Sequence, residues 1–215
     1  MIFRVFPSRL NLNHSVRAIL DDICIRMPEF AHVDPSRILV VAGEARRASR
    51  GTIKPLAFRK EQTTDRQGRT KPLIRVEGQR MLYCITLRPL FFRKSTATQR
   101  VETLLHELFH ISTRFDGTLD ARHRHERMGA RFGRRLRPLV RRYLSGCAEA
   151  LVAPFGWDGE ADIWQWLERP SAYLPLGKCR RLYTEKQLFL ATVRMVQVAP
   201  NSLLTKAPLA GFVKS

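Results

Sequence analysis

Apolar residues recur at helical spacing near the start of the chain. Val16, Ile19, Leu20, Ile23 and Met27 would share one face, which predicts a helix over 8–27. Ser8 or Asn11 could cap it, and Pro28 follows its last turn. SRILVVAG (36–43) is a short run of branched residues closed by Gly43 and predicts a strand. Residues 44–70 carry mixed charge, Gly51, Gly68 and few apolar positions, and read mostly as loop. KPLIRVEG (71–78) and QRMLYCITLRP (79–89) predict two strands joined as a hairpin. Thr96 and Gln99 form a capping-box pair at the head of a helix whose apolar side is Val101, Leu104, Leu105 and Leu108. Asp116-Gly117 should end that segment in a turn. A second helix is expected over about 120–145, carrying Met128, Phe132, Leu136, Leu139 and Tyr143 and interrupted or restarted near Pro138. Beyond 146 only 187–198 gives a clear pattern, and the cluster of Val193, Val196 and Val198 favours a strand.

These elements predict an α+β fold: a small sheet with an N-terminal helix, a histidine-bearing helix and a following arginine-rich helix. The 215 residues suit one domain with extensions or at most two, and are divided here into a domain over 1–145 and a C-terminal extension over 146–215 packed on it. Four cysteines, Cys24, Cys84, Cys147 and Cys179, are far apart with no Cys-x-x-Cys pair, so buried free thiols are expected rather than a zinc ribbon. The first residues lack the apolar run of a signal peptide, and no stretch approaches eighteen consecutive apolar residues. A cytoplasmic protein is the expectation.

The chemistry concentrates in HELFHISTRFDGTLDARHRH (106–125), which holds four of the six histidines. Residues four apart on a helix lie one turn along and about 40° around, so His106 and His110 can aim imidazole nitrogens at one ion. Glu107 stands beside them as a candidate general base for a water whose pKa zinc would lower. Random placement would give this His-Glu-x-x-His pattern ~0.01 times in such a chain. A catalytic zinc needs a third protein ligand. Asp116 lies ten residues after His106, the metzincin spacing, but Thr113 stands where those enzymes have glycine. Glu126 is only sixteen residues after His110. If the second helix begins by about 121, His125 shares the stripe of Met128, Phe132 and Leu136, whereas His123 falls on the side of Arg127 and Arg134. His125 is therefore favoured, with His123 and Asp116 as alternates and Asp116 also suited to supporting a ligand.

PEFAHVDPSRILV (28–40), GEARRASRG (43–51), KPLAF (54–58) and above all HELFHISTRFDG (106–117) together resemble a family of phage metallopeptidases related in layout to SprT-like zincins. The resemblance covers roughly residues 10–145. It implies a zincin-like fold, with a helix, a small sheet, the zinc helix and a second helix bearing the last histidine, a role that fits His125. It also implies that a sheet edge, here 79–89, holds an extended peptide. Zinc-dependent peptide-bond hydrolysis is the implied activity, with a protein or peptide as substrate.

Net charge is +19, from 38 basic and 19 acidic residues. Nine arginines fall between 122 and 142, and Arg131, Arg134, Arg135, Arg141 and Arg142 are candidate phosphate contacts. Arg46, Arg47 and Arg50 form a second cluster. Trp157, Trp164 and Trp166 read as packing residues, with base stacking as the other possibility. Tyr143 and Tyr173 are candidate donors to a transition-state oxyanion. The alternative to an enzyme is a zinc-containing nucleic-acid-binding or phage accessory protein without turnover.

Overall fold

The structure is a computed structural model that describes residues 9–44, 50–123, 130–175 and 181–196. The architecture is α+β, with five helices and two sheets among the described residues. Strand β1 (Arg9–Asn11) runs into helix α1 (Leu12–Arg26), whose first turn is capped by the Asn11 side chain accepting from the His14 N–H. Strand β2 (Ile38–Ala42) is buried at every position. Ile38, Val40 and Ala42 join the larger core with the helices, while Leu39 and Val41 join a second core on the opposite face. An unbroken apolar run is what a strand covered on both faces requires.

Strand β3 (Gly51–Pro55) lies inside the stretch that reads as loop. Strands β4 (Leu73–Val76) and β5 (Gln79–Arg80) form the short hairpin, turned by Glu77 and Gly78, both at positive φ. The next strand, β6 (Tyr83–Leu87), leaves the hairpin and joins the main sheet. It is parallel to β2 on one side and antiparallel to β3 on the other. The sheet edge expected at 79–89 is thus corrected over 83–87, where β6 is interior and β3 occupies the edge of the main sheet; Gln79–Arg80 ends only the small sheet. Helix α2 (Pro89–Lys94) precedes α3 (Ala97–Phe109), where both hydrogen bonds of the Thr96–Gln99 capping box are formed. Helix α4 (Ala130–Gly146) contains Pro138 within one continuous span rather than restarting there, and α5 (Glu149–Val152) follows it.

Strand β7 (Gly159–Trp166) carries two of the three tryptophans into the main sheet. It pairs antiparallel along its length with β9 (Leu188–Met195), which matches the strand expected near 187–198. On its other side it runs parallel to β1 and then touches β2. A small sheet of β5, β4 and β8 (Leu182–Tyr183) covers the second core, where Trp164 and Trp166 pack. Cys24, Cys84 and Cys147 are free thiols, and Cys179 lies outside the described residues. No helix among the described residues is long and apolar enough to cross a membrane.

Lys71 holds the end of β3. It is buried, and its Nζ donates to the Pro55 and Ala57 carbonyls, both at 2.9 Å. Burial, aided by the charge of Arg69, pulls its pKa down from 10.5 to about 8. A neutral amine keeps two N–H donors, enough for both carbonyls. Between about pH 8 and 10.5 the unfolded chain holds the proton that the folded chain has released, so this group's contribution to stability rises with pH. The urea-unfolding free energy of the wild type relative to Lys71→Met should therefore increase from pH 8 to 10. A difference that stays flat would show that Lys71 titrates normally.

Candidate active site

The His-Glu-x-x-His segment occupies the last turn of α3. His110 is the C-cap and keeps right-handed helical angles (φ −81°, ψ −15°), so the one-turn relation to His106 survives the helix end. The Nε2 atoms of His106 and His110 lie 3.3 Å apart. Two nitrogens bound tetrahedrally at 2.0–2.1 Å to one zinc would be about 3.3–3.4 Å apart. A shared N–H···N hydrogen bond would ordinarily be nearer ~3.0 Å. The half-buried pair thus fits one edge of a zinc coordination tetrahedron.

Phe132 of α4 packs over both rings, with centroids 4.7 Å from His106 and 5.1 Å from His110. It also meets Phe109 edge-on at 5.4 Å. Its place on the apolar stripe of the second helix was legible in the sequence. That this stripe closes over the histidine pair comes from the packing of α4 on α3.

Glu107 is buried, at 4% exposure, and its carboxylate accepts the Ile53 N–H. The register of β3 explains the contact. Leu56 N–H donates to Leu82 O and Arg88 N–H to Arg50 O, so even-numbered positions of β3 turn their backbone groups to β6. Odd-numbered positions turn theirs outward. Ile53 therefore presents its N–H to α3. Gly51 permits the approach: a Cβ there would lie 3.3 Å from the Thr103 methyl and 3.5 Å from Glu107 Oε1. Burial pushes the Glu107 carboxyl up to about 8, against the opposing effect of the Ile53 N–H.

After His110 the chain turns through Phe-Asp-Gly. Tyr83 on β6 fixes this turn, donating its hydroxyl to Thr118 O (2.9 Å) and accepting the Gly117 N–H (3.0 Å). Phe115 packs on the Tyr83 ring at 5.1 Å. Gly117 has φ +84°, and a Cβ there would come within 2.6 Å of the Ala57 Cβ, so both conformation and space call for glycine. Asp120 N–H then bonds to the His110 carbonyl at 2.8 Å, returning the chain alongside the histidine pair. Its carboxylate binds Arg122, a hydrogen bond that holds its pKa below the usual value.

The candidate third ligands separate here. The Asp116 carboxylate accepts from the Thr118 hydroxyl at 2.6 Å. His123 stacks on Phe109 at 4.1 Å, with Nδ1 2.8 Å from the Phe109 carbonyl. A carbonyl can only accept, so Nδ1 is the donor in that bond. Among the described residues no group of three or more His, Cys, Asp or Glu is arranged to hold a metal ion. His125 and Glu126 lie outside the described residues, as do Arg46 and Arg47. Neither candidate tyrosine joins the pair by a described contact. Tyr143 donates its hydroxyl to Asp22, and Tyr173 stacks on Phe58.

A sequence model of the family described as "Putative phage metallopeptidase" matches residues 9–134, well over half of the chain. The chain belongs to this family. The match takes in β1, α1, the β2–β6–β3 part of the sheet, α3 and the start of α4, and so includes the histidine pair, Glu107, Ile53 and Phe132. Membership supports a metallopeptidase function in general terms, with a protein or peptide as substrate and a metal cofactor. No curated protein and no solved structure matches the chain significantly.

Proposed function

We propose that this phage-metallopeptidase family member is a zinc-dependent peptidase in which His106, His110 and His125 hold the metal and Glu107 is the general base. The convergence of the His106 and His110 nitrogens at 3.3 Å carries the reading. His125 is taken as third ligand because it lies nineteen residues after His106, the place that the resemblance to SprT-like zincins gives the last histidine. When bound, zinc would supply a Lewis acid that polarises the scissile carbonyl and acidifies a water.

The protein's own groups do the remainder. The histidine rings hold their orientation through Phe132, and the α3 helix fixes Glu107 on the adjoining face. Glu107 takes the proton of the attacking water and can pass it to the leaving amine. Its buried setting favours the neutral acid in the isolated chain, and a nearby cation would favour the carboxylate. The Ile53 N–H occupies one carboxylate acceptor site and thereby orients the group. The outward-facing backbone of β3, not that of 79–89, is the sheet edge beside this carboxylate.

The direct test is metal content together with turnover. Purified protein should hold about one zinc per chain. It should also cleave an unstructured protein such as casein, lose this activity to a chelator and regain it with added zinc. His110→Ala should lose both zinc and activity. A zinc-free wild type that still cleaves casein would refute the proposal, and so would a zinc-loaded one that cleaves neither casein nor a peptide library.

A further inference from the structure

Helix α4 has two unlike sides. Phe132, Leu136, Val140 and Tyr143 are buried in the main core. Arg131, Arg134, Arg135, Arg137 and Arg141 are all exposed. At 100° per residue these five fall within an arc of about 160° opposite the buried stripe, along roughly 15 Å of axis. The helix contains no Asp or Glu. None of the five makes an ion pair with any described carboxylate. Several exposed arginines elsewhere are paired, Arg9 with Glu160, Arg17 with Asp21, Arg69 with Asp65 and Arg122 with Asp120, and those left unpaired among the described residues, such as Arg59, Arg75 and Arg114, are scattered over separate elements. Arg142, in the same arc near the end of the helix, is bonded to Glu29. Five clustered guanidinium groups without counter-charges repel one another, and folding gains nothing from gathering them there.

We propose that this outer face of α4 binds the phosphate backbone of double-stranded DNA. The guanidinium fork matches phosphate oxygens in bidentate geometry. A duplex presents one negative charge per ~1.7 Å of axis, so a 15 Å row of cations lies opposite several phosphates. The other residues in the arc are Ala130, Pro138, Arg142 and Ser145, with no aromatic side chain on which an unpaired base could stack. Insertion into a membrane requires a free apolar side, and that of α4 is spent on the core. The inference does not depend on peptidase activity, although the same helix carries Phe132 against the histidine pair.

The test is fluorescence anisotropy of a labelled 25-base-pair duplex with the full chain. Five phosphate contacts give a slope of log affinity on log salt of about −4.5, so affinity should fall about 500-fold between 50 and 200 mM NaCl. Changing Arg131, Arg134, Arg135, Arg137 and Arg141 together to Gln should remove nearly all binding at 50 mM NaCl without lowering the melting temperature. A control chain with Arg59, Arg66, Arg75, Lys94 and Arg114 changed to Gln, all exposed and off this face, removes the same charge and should keep most of it. Equal losses in the two variants would mean that total charge, not this face, is responsible, and would overturn the proposal. So would absence of binding at 50 mM NaCl, or binding to phosphatidylserine vesicles but not to the duplex at equal salt.

Discussion

Glu107→Gln should keep about one zinc per chain and the wild-type fold while losing peptide cleavage by about 10²–10⁴-fold in kcat, the usual contribution of a positioned general base. The substitution is well suited to the site because glutamine retains the carbonyl oxygen that accepts the Ile53 N–H. It changes neither His106 nor His110, and the volume beside Gly51 and Thr103 is conserved. What it removes is the ability to take a proton. KM should change little, since the lost interaction belongs to the transition state. Because burial already disfavours the Glu107 carboxylate, the metal-free variant should be at least as thermally stable as the metal-free wild type near neutral pH. Metal analysis, casein cleavage and a melting curve on one preparation read all three. Wild-type turnover by the variant would remove Glu107 from the chemistry. A zinc-bound wild type with no turnover to lose would instead favour the non-catalytic zinc protein.

The parts of this site that are local in sequence could be read from it. The capping box, the apolar side of α3 and the one-turn spacing of the histidines all lie within fifteen residues, 96–110, and all appear in the fold. The motif is at the end of α3 rather than within it, because the turn through Phe115 and Gly117 draws the chain away at His110. The partner of Glu107 could not be read. GTIKP is five residues with Gly, Lys and Pro, too weak a pattern for a strand by itself. It becomes one by pairing with β6, more than thirty residues later. That register, and not the composition of β3, sends the Ile53 N–H toward the carboxylate. The edge role expected of 79–89 failed over 83–87 for the same reason, since an apolar strand gives no sign of which neighbours will flank it. Strand β7 was obscured by Gly156, Gly159 and Pro170 around it, and its partners β1 and β2 lie more than a hundred residues earlier.

Arg100→Met should destabilise the protein by about 3 kcal/mol, the sum expected when several buried hydrogen-bond acceptors lose their donor. Arg100 is 2% exposed, and among the described residues no carboxylate is bonded to it. Its Nε donates to Phe92 O (2.9 Å) and Ser95 Oγ (3.2 Å), and an outer nitrogen to Phe155 O (2.6 Å). Burial pulls the guanidinium pKa down to about 10, with Asp158 acting in the opposite sense, so the group stays charged at neutral pH. Methionine matches much of the side chain's length and relieves the burial of charge. It takes the Arg100 donor from the Phe155 carbonyl and leaves the Phe92 carbonyl with only the Ser95 hydroxyl, and that loss decides the sign. For a chain of this size the shift in melting temperature should be about 6–12 °C. The position explains why the cost falls on the candidate site. Arg100 ties the first half of α3 to the end of α2 and to the turn before β7, while Glu107 ties the last half to β3. The histidine pair sits on the far end of a helix anchored at both halves. Arg100→Met should therefore lower zinc retention under mild urea before global unfolding, which fluorescence and metal release measured together would resolve. Coincident loss of zinc and fold would show that α3 is held by the core alone.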